Sequence, residues 1–135
     1  MNLNQKEKAS ALIKNVFLAI VVGPVVGALD AFFGRILIAV SAFREAHALI
    51  LVPFLPLAGI AITYMYYRYN KLSLRGMTLV FETGQNKRDR IPKALIPLAM
   101  VGTWMTHLFG GSAGREGVAV QIGATVSHTI ARKLK

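Results

Sequence analysis

The sequence predicts an all-α, polytopic membrane protein, and three observations predict it. Long apolar runs alternate with basic connectors, charge is segregated along the chain, and prolines and glycines fall inside the apolar runs. Of the 135 residues 54% are hydrophobic, yet the net charge is +10. Lys6, Lys8 and Lys14 stand at the N-terminal end, the densest basic group lies between Arg68 and Lys93, and Arg132, Lys133 and Lys135 come last. That alternation is the pattern of bilayer spans flanked by interfacial charge. A nucleic-acid binder would spread its charge over a polar face with aromatics between, so no nucleic-acid partner is expected. With no cysteine, thiolate metal sites and disulfides are excluded. His47, His107 and His128 lack ligand spacing, so no metal or other cofactor is expected and the chain does not read as an enzyme.

Residues 1–15 read as a cytoplasmic N-terminal segment, an exposed tail or short interfacial helix, and 16–135 as a transmembrane region. The first span is expected at about 16–43. It exceeds the roughly 20 residues needed to cross, and it is too long for a signal-peptide core. Gly23, Gly27, Ala31 and Gly34 form a stripe that predicts close approach of another helix. Asp30 and Arg35 read either as interfacial or paired with other helices, or as part of an ion relay. Arg44 and Glu45 are expected to form a turn before a second span at about 46–67, kinked by Pro53 and Pro56. Tyr64, Tyr66, Tyr67 and Tyr69 beside Arg68 and Lys71 predict an interfacial aromatic belt.

The N-terminal segment and the 68–93 connector are basic, whereas the 44–45 turn is nearly neutral. The N-terminus is therefore expected in the cytoplasm of a multi-pass cell-membrane protein. Within the connector, residues from about 76 to 84 are too briefly apolar to span, and read as a re-entrant half-helix or a surface helix. A third run covers about 91–109, with Pro92 suited to a first turn and Pro97 expected to bend it. The glycine-rich break Gly110–Gly117 then leads to a final half-helix at about 117–131. Non-helical backbone at membrane depth is tolerated where it is buried in protein or lines a cavity.

Glu116 stands in that break. A helix starting after it leaves the N–H groups of Gly117, Val118 and Ala119 unpartnered, and the positive end of its dipole faces an anion. Glycine at 117 lets the backbone approach an ion closely. Glu116 is then a tethered anion that competes for the site when deprotonated and withdraws when protonated. The alternative is a carboxylate that only stabilises the helix dipole. Arg115 is expected to pair with a neighbouring carboxylate and hold the loop. Gln121 and Ser112 read equally as polar liners or packed residues.

Gly114-Arg115-Glu116-Gly117 followed by Val118-Ala119-Val120-Gln121-Ile122-Gly123 resembles the second anion-pathway motif of the CLC (voltage-gated chloride channel) family. The lead-in Gly110–Ala113 and the stretch VVGPVVGALDAFFGRIL resemble that family too. The resemblance implies that Glu116 gates the path and carries protons, and that Gly114, Arg115, Gly117, Val118 and Ala119 bind the anion. The first motif is usually glycine-serine-glycine-isoleucine-proline, and Gly76-Met77-Thr78-Leu79-Val80 stands in its place, which adds Gly76, Met77 and Thr78 to the implied anion site. Val118 likewise replaces a common proline. Methionine at the serine's place resembles the family's fluoride/proton-antiporting branch; Met77 also reads as a plain lipid or core residue. The resemblance implies broken and re-entrant helices, fluoride or chloride and protons as partners, and a homodimer in the lipid bilayer. It also implies that the chain holds an incomplete first part of the first of two inverted repeats, an N-terminal fragment.

Three other functions compete with H⁺-coupled fluoride antiport. They are a passive or voltage-gated chloride channel of the same family, a complete small dual-topology fluoride channel, and a fragment without transport. Dual topology requires weak charge bias, and the bias here is strong.

Overall fold

The computed structural model describes residues 3–133; expectations that fall on Met1, Asn2, Leu134 and Lys135 lie outside the described residues. Those residues form helices and no strand. The helices are α1 (Leu3–Leu51), α2 (Leu55–Tyr69), α3 (Gly76–Gly84), α4 (Leu95–Leu108) and α5 (Arg115–Lys133). Short 3-10 turns at Val52–Phe54 and Lys71–Arg75 flank α2.

α1 is continuous from the polar N-terminal segment into the first apolar run. Its 49 residues are two helical stretches that meet at a kink at His47. The turn expected at Arg44–Glu45 is absent. Neither residue removes a backbone donor or clashes with the preceding turn, so the helix runs through both. It departs from helical geometry at His47 instead (φ −128°, ψ 22°). In the second run the helix is interrupted at Pro53. The chain breaks through the Val52–Phe54 turn and restarts as α2, with Pro56 in the first turn, where a missing N–H has no intrahelical partner to lose. The same reasoning corrects Pro97. α4 starts at Leu95, whose N–H bonds the Pro92 carbonyl at 3.0 Å, so Pro97 lies in its first turn and imposes no bend.

α1, α4 and α5 pack together. Val22, Val26, Leu29, Phe33 and Leu37 recur at helical spacing on α1 and meet Ala99 and Met100 of α4 and Val118, Ile122 and Val126 of α5. The Trp104 ring stacks on Phe33, centroids 5.9 Å apart, and its Nε1–H donates to the Phe33 carbonyl at 3.1 Å. The small-residue stripe is a different face. Positions where a Cβ would stand at Gly23, Gly27 and Gly34 have no neighbour within 4 Å, so none of the described helices packs closely on it. Asp30 and Arg35 are both exposed, and among the described residues neither forms an ion pair. α1 and α2 leave Leu12, Ile20, Ile38 and Ile60 well exposed, a surface suited to lipid or further protein rather than water.

A second cluster, Leu79, Ile91 and Leu95, seats α3 and the connector beneath α5. Glu82 accepts from Arg75 at 2.6 Å and from Arg88 Nε at 2.6 Å, tying both ends of α3 together. Arg88 foremost, with the charges of Arg75 and Lys87, holds the Glu82 carboxyl below its ordinary range against partial desolvation.

Candidate functional site

The break after α4 depends on two glycines. Gly110 adopts φ +85°, and a Cβ there would lie 2.8 Å from Val52 Cγ2. At Gly111 a Cβ would lie 2.7 Å from Thr106 Cγ2 and 3.2 Å from the Thr106 carbonyl, which accepts the Gly111 N–H at 2.8 Å. The chain then runs to α5, which begins at Arg115 rather than after Glu116. This shifts the free donors expected from the sequence. The N–H groups of Val118 and Ala119 enter the helical ladder, and those of Arg115, Glu116 and Gly117 are left at the helix start.

Two motif segments far apart in sequence meet here. A Cβ at Gly117 would lie 3.9 Å from Met77 Cγ, and one at Gly76 would lie 3.7 Å from Gln121 Nε2. The starts of α3 and α5 therefore face each other, with Gly76 held at φ +48°, a conformation that suits glycine. Val118 packs into the α1–α4–α5 core at 5% exposure, which explains an apolar residue there. Thr78 is exposed and Ala119 half-buried.

Glu116 opens on a vestibule of about 600 Å³ between the break and α1. Its walls include Leu37, Ser41 and Glu45 of α1, His107 of α4, and Ala113 to Glu116. The expected partner of Arg115 is missing. Arg115 is exposed and, among the described residues, forms no ion pair. The sequence had no signal for Glu45 or His107 at this place. His107 Nδ1–H donates to the Thr103 carbonyl at 3.0 Å, a bond that leaves Nε2 free.

A smaller cavity of about 340 Å³ lies on the other side of Gly114, which lines both. Gly76, Ser73, Tyr66, Thr103 and Gln121 line this inner chamber. Tyr66 thus departs from the expected aromatic belt. Its ring lies against α4, 3.5 Å from where a Gly102 Cβ would stand, while Tyr64, Tyr67 and Tyr69 are exposed. Among the described residues no cluster of His, Asp and Glu is placed to hold a metal ion.

The sequence model of the voltage gated chloride channel family matches residues 58–135. A curated relative, the chloride/fluoride channel protein of Pseudomonas syringae pv. tomato, is 32% identical over 119 residues. That match covers 88% of this chain and 26% of the relative. The crystal structure of a CLC-type fluoride/proton antiporter superposes with a TM-score of 0.84 at 55% identity, covering 87% of this chain and 30% of that one. The chain thus spans about a quarter of the length of the curated relative and under a third of the solved structure's chain.

Proposed function

The chain belongs to the voltage-gated chloride channel family, and from that membership we propose that it forms the gate-bearing part of an H⁺-coupled anion pathway that exports fluoride. The observation that carries the reading is the meeting of two helix starts, Gly76–Met77 of α3 against Gly117 of α5, beside the vestibule carboxylate of Glu116. N–H groups at the start of α5 and the positive ends of two helix dipoles attract an anion without a fixed cation. A site of that kind binds and still releases, as conduction requires. Glycines at 76, 114 and 117 leave room for the ion's approach to backbone. Met77 bounds it with a thioether instead of a hydroxyl, and Thr78, Val118, Ala119 and Arg115 complete the segments that carry the site.

Glu116 couples the two substrates by competition. Its carboxylate and the anion seek the same donors, so an arriving anion displaces the charged side chain, and a proton from the vestibule neutralises it. When the anion leaves, the proton is released and the carboxylate returns. Fluoride is preferred over chloride on the strength of Met77 and of the relatives, one named for fluoride/proton antiport and one for chloride/fluoride conduction. A chloride channel is the second reading, favoured by the description of the family model. The protein works in the cell membrane with its N-terminus cytoplasmic and pairs as a homodimer.

The test is proton uptake into liposomes driven by a fluoride gradient, using a full-length transporter that carries this sequence. Fluoride flux with a fixed proton count supports antiport. Chloride flux without proton movement would decide for the channel.

A further inference from the structure

Ser73 sits in the 3-10 turn before α3, held by its own N–H, which donates to Asn70 Oδ1 at 3.1 Å. It is 1% exposed, and its Oγ is the buried side-chain polar atom, among the described residues, that has no hydrogen-bond partner. Burying a hydroxyl without a partner is unfavourable, and native proteins seldom leave one so unless something comes to meet it. This hydroxyl lines the inner chamber beside Gly76, one turn before the methionine that lacks a hydroxyl.

The other polar groups of the chamber divide into two sets. The Thr63 and Thr106 hydroxyls already donate to the carbonyls of Gly59 and Gly102, at 2.9 and 2.7 Å. Among the described residues Thr103, Tyr66 and Gln121 make no side-chain hydrogen bond, so that hydroxyl, the phenol and the carboxamide remain available with Ser73. Among the described residues no carboxylate and no cationic side chain lines the chamber. Its polar character is therefore that of neutral donors, close to the start of α3 at Gly76 and to Gly114, the residue before α5.

We propose that Ser73 is a specificity-determining residue of the anion pathway, whose hydroxyl donates to a fluoride ion in the inner chamber and replaces the donor that Met77 does not supply. The inference rests on the antiport reading and deepens it. A small, strongly hydrated anion gives up more on dehydration than chloride does, and O–H donors aimed into a buried chamber restore the short hydrogen bonds it loses. At about 340 Å³ the chamber also admits water, at roughly 30 Å³ per molecule, so the ion enters with part of its shell. Neutral donors hold the ion less firmly than a buried lysine or arginine would, which permits release.

The experiment uses a full-length transporter carrying this sequence in liposomes, with fluoride and chloride electrodes and a range of concentrations. Ser73→Ala should raise the fluoride KM roughly tenfold or more, as loss of one hydrogen bond to a charged ligand implies, with chloride affected less. Protons moved per fluoride should stay unchanged, because Glu116 is intact. Ser73→Thr, which restores the hydroxyl, should recover the fluoride KM. As a second measurement, fluoride should raise the thermal midpoint of the unmutated protein and not that of Ser73→Ala. An unchanged fluoride-to-chloride KM ratio, equal loss for both ions, or no rescue by Ser73→Thr would overturn the proposal and leave antiport standing. No fluoride flux in the unmutated protein would sink the antiport reading, and this inference with it.

Discussion

Met77 Cγ lies 3.9 Å from where a Cβ on Gly117 would stand, so the thioether of one helix start covers the backbone of the other. A serine there would be shorter and would uncover that backbone to a larger ion. Met77→Ser, in a full-length transporter carrying this sequence, should therefore shift the fluoride-to-chloride flux ratio toward chloride. Paired flux measurements on the two ions check it. An unchanged ratio would remove Met77 as a selectivity residue.

Glu116→Gln keeps the shape of the side chain but cannot bind and release a proton. Proton movement driven by a fluoride gradient should disappear, while anion flux either falls or persists uncoupled. The control is Asp89→Asn, since Asp89 is exposed and its recorded contacts use the backbone carbonyl. Coupling that survives in Glu116→Gln would refute competition as the mechanism.

Orientation is read from side-selective labelling. Ser10→Cys and Asn86→Cys should react with impermeant thiol reagents from the cytoplasmic face, and Glu45→Cys from outside. Glu45 lines the vestibule with Glu116, so the same experiment reports which solution the gate faces. Labelling of Asn86→Cys from outside would reverse the assignment.

The Arg75–Glu82–Arg88 network predicts an acid dependence. Because the folded-state pKa of Glu82 is depressed, its contribution is full above the unfolded value and is lost as pH falls through the folded one. Amides of Gln85 to Lys87 should therefore lose hydrogen-exchange protection, after correction for intrinsic rates, below the usual carboxylate range. Glu82→Gln should show the weaker protection at neutral pH already and little further change with acid. Identical pH profiles for the two proteins would show that the network holds nothing.

Gly110→Ala and Gly111→Ala should each destabilise the fold by roughly 1–3 kcal/mol, the first through positive φ and contact with Val52, the second through collision with Thr106. Gly84→Ala, where a Cβ meets nothing within 4 Å, should be near neutral. Thermal midpoints in detergent decide, and equal midpoints for all three would mean that the break relaxes freely.

The sequence by itself determined the all-α membrane class and the family, because apolar runs and the Gly114–Gly117 motif are local properties of the chain. It could not say where the long runs break. Arg44–Glu45 looked like a turn by charge, but a backbone break needs lost hydrogen bonds or steric conflict, and the helix continues to His47. Nor did it tell which face of α1 packs. In a lipid-facing helix nearly every face is apolar, so periodicity loses contrast, and the buried face is Val22–Leu37 rather than the glycine stripe. Tertiary structure alone set Gly76–Met77 against Gly117, placed Glu45 and His107 around Glu116, and buried Ser73 beside Tyr66. Each of these depends on how helices distant in sequence cross, and helix crossings follow from side-chain interlocking that no local pattern records.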